Sequence, residues 1–280
     1  MSVAKKVLMG SGVSGPSVKT IANSITWSKP TGEALTKQFS SASDDNRIYT
    51  NSIWYKIGAV NEYLLMATTS NNAGGGNSYA YTYFYQNYLG FEVYNYNGGG
   101  TKVRFKTATN TTLFGANGGW HHLHVAIDTT QGTTADRVKI YIDGTQITSF
   151  QSGQALYPPQ NQDMFPLTSI SDSNHFPGSG KALTSYIGNG FTIVNYTSYG
   201  FTGNLADVNV VDGIALPVDT FAADINGTWT PLEYTGSYGS NGFNLNMANG
   251  AFGTDSSGNG NNFTSTNIAS GDVSNSVPPA

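Results

Sequence analysis

The chain has 280 residues, of which only 11% are charged while 38% are hydrophobic and 12% aromatic. That apolar content excludes a disordered chain, and the lack of cysteine excludes disulfides, thiolate metal sites and a cysteine nucleophile together. A formal charge of −4 leaves no sizeable basic patch for nucleic acid, and no apolar run reaches the roughly 18 residues of a membrane-spanning helix. The 34 glycines and 28 asparagines, with abundant Ser, Thr and Tyr, suit an all-β protein with many tight turns.

Residues 1–20 are rich in Gly, Ser and Lys and show no strand period. Val7-Leu8-Met9 behind Lys5 and Lys6 is too short an apolar stretch for a signal peptide. Such a segment suits either an anchoring arm that orders on a partner surface, separate from the domain that follows, or a frayed tail; the anchoring arm is the reading adopted. From there to about residue 215 the apolar residues recur with period two, and no helix of ordinary length can be drawn. Strands are expected at 24–29, 34–40, 48–57, 62–68, 79–86, 88–96 and 102–107. At 120–127 Leu123, Val125 and Ile127 face inward. At 137–143 Val138, Ile140 and Ile142 do the same, and Asp143-Gly144 is a type I′ turn signal that returns the chain through 145–150. A proline-rich loop over 151–180 interrupts the rhythm, strands resume at 183–188 and 200–211, and a helical turn fits 217–224. Residues 226–280 are rich in Gly and Asn and are expected to wrap the surface. The domain organisation is therefore an arm (1–20), one β-domain (21–225) and an extension around that domain (226–280).

Four places carry candidate chemistry. Tyr79, Tyr81, Tyr83 and Tyr85 share one face of a strand, and Tyr88, Tyr94 and Tyr96 follow on the next. Such a row can stack on sugar rings, form a subunit interface or simply fill a half-buried sheet. His122 and His124 share a strand face with His121 opposed; a metal would need a third ligand from a neighbouring strand or His175, so packing and hydrogen bonding is the favoured reading. Asp255-Ser-Ser-Gly-Asn-Gly-Asn-Asn262 has the look of a calcium loop, with Asp255 and Asn259 as oxygen ligands, but Thr266 stands where the bidentate acid belongs. Calcium is the one cofactor this string suggests, against a plain surface turn. Glycoside hydrolysis would need paired carboxylates. None of the four glutamates (Glu33, Glu62, Glu92, Glu233) has an acidic residue two or four positions away. The chain is read as non-enzymatic.

The series Gly119–Asp128 (Gly-Trp-His-His-Leu-His-Val-Ala-Ile-Asp), Arg137–Gly144, Tyr186–Gly188, Phe201–Val208 and Asp212–Leu216 resembles the concanavalin A-like, laminin G-like domains in order and spacing. The resemblance implies a two-sheet antiparallel β-sandwich of jelly-roll type. The further stretches Trp229–Phe243 and Gly253–Asn262 are similar to a branch found among virion structural proteins of tailed phages. That narrower resemblance implies a virion surface protein, a capsid decoration or fibre, held to other virion proteins through residues 1–20 and adhering to host-surface glycans. It leaves room for an oligomer. The alternatives are a tail receptor-binding lectin and a glycan-degrading depolymerase.

Overall fold

The computed structural model describes residues 17–28, 32–59, 63–70, 79–95, 100–115, 118–164, 183–188, 200–248 and 250–279. The strands in chain order are β1 (Ser24–Trp27), β2 (Ala34–Lys37), β3 (Ile48–Ile57), β4 (Tyr63–Ser70), β5 (Tyr79–Tyr85), β6 (Tyr88–Asn95) and β7 (Gly100–Thr107). One helical turn, α1 (Thr111–Phe114), precedes β8 (His121–Asp128), β9 (Val138–Ile142), β10 (Thr145–Gln146) and β11 (Phe150–Leu156). Then follow β12 (Leu183–Gly188), β13 (Gly203–Asp212), β14 (Ala222–Ile225), β15 (Thr228–Pro231), β16 (Phe243–Leu245), β17 (Thr264–Thr266) and β18 (Val273–Ser274).

They form two sheets and a hairpin. The back sheet has the order β10-β9-β8-β3-β13-β1-β18, with β16 also on β13. The front sheet has the order β11-β7-β6-β5-β4-β12-β2-β17, and β14 pairs with β15 apart from both. Every pairing is antiparallel. The fold is all-β, as the period-two pattern implied, and a two-sheet jelly-roll sandwich, as the resemblance implied. Its core lies between the sheets, where Trp27, Tyr55, Phe84, Phe91, Phe105, Leu123, Val125, Ile140 and Leu205 belong to one continuous buried cluster. Burial of each such side chain contributes roughly 1.5–3 kcal/mol, the dominant favourable term in the fold.

Local signals are realised where turn chemistry demands them. Asp143 and Gly144 both have positive φ (48° and 76°), the type I′ requirement, and Ile142 pairs with Thr145 across the turn. The return strand is shorter than expected, however. After Gln146 the chain leaves the back sheet, and Phe150–Leu156 pairs with β7 at the edge of the front sheet. The start of the proline-rich stretch is thus a strand; its residues 165–182 lie outside those described.

Both flanking segments touch the body of the domain. Residues 17–20, the end of the presumed arm, are fastened to the body: Lys19 N donates to Pro231 O (2.9 Å), Glu233 N donates to Ser17 O (2.8 Å), and Val18 bridges Leu232. Residues 1–16 lie outside the described part. The extension after 226 is structural rather than a wrapping. It supplies β16 and β18 to the back sheet and β17 to the front sheet, and Phe243, Leu245, Met247, Phe252 and Phe263 to the common core. Long-range pairing of this kind leaves no mark in a local hydrophobic period.

Candidate functional site

The outer face of the front sheet carries the tyrosine row. Even-numbered residues of β5 point inward, so Ala80, Thr82 and Phe84 are buried. Tyr79, Tyr81, Tyr83 and Tyr85 therefore point outward, and each keeps part of its surface in solvent. Register places Tyr94 opposite Tyr79, Glu92 opposite Tyr81, and Gly90 opposite Tyr83. The rings form a continuous strip: centroids of Tyr79 and Tyr81 lie 4.7 Å apart, Tyr81 and Tyr83 5.0 Å, and Tyr79 and Tyr94 5.1 Å in a near-parallel stack at 17°. The outer end of the Tyr83 ring lies flat over Gly90, where an added Cβ would stand 2.1 Å from the ring. Only glycine permits that approach. Tyr96, at the end of the expected row, lies outside the described residues.

A half-buried ion pair anchors the strip. Glu92 is only 6% exposed, and it accepts from Arg104 Nε (3.0 Å) and Nη2 (3.2 Å) across the β6–β7 pairing. Arg104 Nη2 also donates to Thr101 (3.0 Å), so the guanidinium is held in plane. Lys106, two residues on, places its ammonium 5.9 Å from the centre of the Tyr88 ring. Towards the other edge the same face continues through Ala67 and Tyr186, which pack with Tyr79 and Tyr81. Burial first, and the Glu92 charge second, push the Tyr81 phenol far above its ordinary value; burial likewise raises Tyr79 and Tyr83. The hydroxyls stay protonated at any working pH and can both donate and accept. The sequence singled out the tyrosines, but missed Arg104 and Lys106. Their signal was present only in the cross-strand register, where a cation stands opposite Glu92.

The histidines sit on the other sheet and are sealed. His122 is 1% and His124 0% exposed. Trp229 Nε1 can only donate, so His122 Nδ1 accepts (3.2 Å), and the proton is on Nε2, which donates to Ser52 Oγ (2.8 Å). His124 Nε2 donates to Leu216 O (3.1 Å). His121 faces the opposite way and is bound to Asp143 (2.6 Å). Burial drives the His122 pKa well below normal and that of His124 down to about 4, so both are neutral packing groups. No group of three or more His, Asp or Glu side chains able to hold a metal occurs among the described residues, and His175 lies outside them.

The Asp255 loop is closed by hydrogen bonds. Its carboxylate accepts from four donors: Asn244 N (2.9 Å), Ser257 N (2.9 Å), Ser257 Oγ (2.9 Å) and Asn261 N (2.8 Å). Asn259 does not turn an oxygen inward; its amide donates to Gly239 O (2.6 Å) and Gly242 O (2.9 Å). A ring of hydrogen-bond donors around a carboxylate has the wrong polarity for a cation cage, which needs oxygens. The loop is a fastening that ties residues 255–262 to 239–244.

The glutamates are dispersed. Glu33 is buried and accepts from Ser28 N (3.1 Å), Glu92 holds Arg104, Glu233 is exposed, and Glu62 lies outside the described residues.

Residues 31–179 match the family model described as the concanavalin A-like lectin/glucanases superfamily. The chain belongs to that superfamily. Among solved structures, the native heptameric SAP-like pentraxin from Limulus polyphemus is similar at 16% identity, with 71% of this chain and 80% of that chain covered and a TM-score of 0.42. Mouse laminin alpha1 domains LG4-5 are similar at 13% identity, covering 85% and 50%, with a TM-score of 0.41. The Ruminococcus gnavus IT-sialidase CBM40 is similar at 16% identity, covering 70% and 92%, with a TM-score of 0.43. No curated protein matches the sequence.

Proposed function

We propose that this superfamily member is a non-catalytic, lectin-like module displayed on a tailed-phage particle, and that it holds a host-surface glycan against the tyrosine face of its front sheet. The observation that carries the binding reading is the aromatic strip itself. Tyr79, Tyr81, Tyr83 and Tyr94 form one continuous surface that is left partly in solvent, with protonated hydroxyls along it. A saccharide chain presents apolar ring faces and hydroxyls in alternation, which such a strip complements. The dispersed glutamates support binding without hydrolysis. The particle assignment rests on the sequence pattern of Trp229–Phe243 and Gly253–Asn262.

The test is affinity electrophoresis of the purified chain in gels cast with polysaccharides, host capsule and lipopolysaccharide included. Retardation by at least one polymer is expected, lost in the double variant Tyr81→Ala/Tyr83→Ala. Release of reducing ends during the same incubation would overturn the non-catalytic half. Equal retardation of variant and parent would remove the tyrosine face from the reading. Immunogold labelling of particles tests the location: an antibody to the chain should mark the virion surface.

A further inference from the structure

The segment that precedes β1 meets β13 through one buried ion pair. Lys19 lines a cleft between residues 19–23 and the 233–238 loop, and Asp207 closes the base of that cleft. Lys19 Nζ lies 2.6 Å from Asp207 Oδ1, and the two side chains keep only 13% and 1% of their surface in solvent. The contact joins segments 188 residues apart in the chain.

Both ends of the contact are held. Lys19 N donates to Pro231 O (2.9 Å) and Val18 bridges Leu232, which fixes the backbone that carries the amine. Asp207 sits in the β13 bulge, where the register with β3 shifts between Ala206 and Asn209. Its φ is +45°, a left-handed conformation that a non-glycine residue holds only when its surroundings impose it. Oδ1 also accepts from Asn244 Nδ2 (2.9 Å), and that amide is steadied by Asn209 Oδ1 (2.6 Å), which accepts from Tyr238 OH as well (2.8 Å). Oδ2 is closed to water and has no hydrogen-bond partner. As an ion pair the arrangement is poor, because a buried pair recovers its desolvation only when the remaining lone pairs are satisfied. As a pair of reactants it is well placed. An amine touching Oδ1 stands one carbon–oxygen bond from Cγ, and groups held in such a geometry react with effective molarities of about 10⁵ M and above.

We propose that Lys19 and Asp207 condense into an amide, a covalent link between the segment before β1 and strand β13. Nζ passes one proton to the carboxylate and adds to Cγ. The Nζ–Cγ bond forms while Oδ1 gathers negative charge against the Asn244 amide. A second amine proton goes to Oδ2, the Cγ–Oδ2 bond breaks, and Oδ2 leaves as water. The three ammonium protons end as one amide N–H and two on water, so the step needs no further reactant. The product suits the site better than the reactants do. Both buried charges vanish, the oxygen without a partner is the one that departs, and Oδ1 keeps Asn244 as a neutral amide oxygen. Exclusion of water from the same spot disfavours the reverse hydrolysis. A pull on the N-terminal side is then borne by β13 and not by the hydrogen bonds of residues 17–20. The link is independent of the tyrosine face and stands if that reading falls.

Mass spectrometry of the full chain, purified in the folded state and then denatured, decides the matter. The parent is expected to be lighter than its sequence by one water. Trypsin should spare the bond after Lys19 and release one branched peptide that carries both Lys19 and Asp207. Lys19→Arg keeps a cation beside Asp207 but should show its full mass, as should Asp207→Ala. The branched peptide of the parent settles the question even where a variant does not fold. The proposal is overturned if the parent carries its full mass, or if Lys19→Arg loses the water as well. It is equally overturned if the missing water maps to another residue, such as a succinimide at Asp143-Gly144 or Asp212-Gly213.

Discussion

On the front sheet, Tyr79, Tyr81 and Tyr83 of β5 point away from the core and keep part of their surface in water. On the back sheet, His122 and His124 of β8 point away from the core just as regularly and meet no water at all. The strands have the same alternation; what lies over them differs. Residues 214–238 cover the back sheet. Leu216 receives the His124 hydrogen bond, Trp229 donates to His122, and Ile21, Ala206, Ala222 and Trp54 pack beneath as a second small core. Phe221, Tyr238 and Val211 make a third. Among the described residues nothing does this for the front sheet. The lesson is that an outward-pointing residue is a surface group only if no later segment returns to bury it.

That contrast can be broken at its strongest point with Trp54→Ala. Trp54 faces outward from the back sheet yet is 1% exposed, so truncation should behave like a core deletion and cost about 3–5 kcal/mol in a denaturant titration. A cost below about 1 kcal/mol would mean that the cover is loosely held.

Acid should distinguish the two faces next. His124 has a folded pKa of about 4 against 6.5 for an ordinary imidazole, and that of His122 is lowered in the same direction, both through burial. The unfolded chain therefore takes up protons that the folded chain refuses. Stability is whole above about pH 6.5 and falls as the pH drops towards 4, by about 3 kcal/mol for His124 alone. Unfolding free energies measured between pH 7.5 and 4.5 should follow that slope, and His124→Gln should flatten it. A slope identical in parent and variant would place the imidazole in solvent.

Tyr81→Ala should cost less, about 1–2 kcal/mol, because its ring is half-buried and stacked only on neighbouring tyrosines. A loss equal to that of Trp54→Ala would show the front face to be covered as well. The smallest effect belongs to the Asp255 fastening. Asn259→Ala removes two amide hydrogen bonds and should cost about 1 kcal/mol. Millimolar calcium should leave the melting temperature of the parent where it was, whereas an ion site would raise it.

Much of this was legible in advance. The inward sets Leu123, Val125, Ile127 and Val138, Ile140, Ile142 were read correctly because strand alternation is local. The Asp143-Gly144 turn was read correctly because positive φ at two successive residues admits few side chains. The failures share one cause. Residues 151–156 looked like the start of a loop, yet with Phe150 they find their partner in β7, about fifty residues back. Asp255 and Asn259 have a spacing that suits a turn and an ion loop alike, and their partners at 239–244 are invisible in it. Asp207 gave no signal at all, since a bulge is a property of two strands and not of one.

By itself, then, the sequence determined most of the strands before residue 212, which face of those strands is apolar, and which aromatic row stands opposite the core on β5. All of these depend on backbone geometry over a few residues. Only the tertiary structure decided which outward faces remain open, that Glu92 would find Arg104, and that Lys19 and Asp207 would meet at the base of a cleft. These are encounters between segments as much as 188 residues apart, settled by which surfaces the whole chain can bury at once.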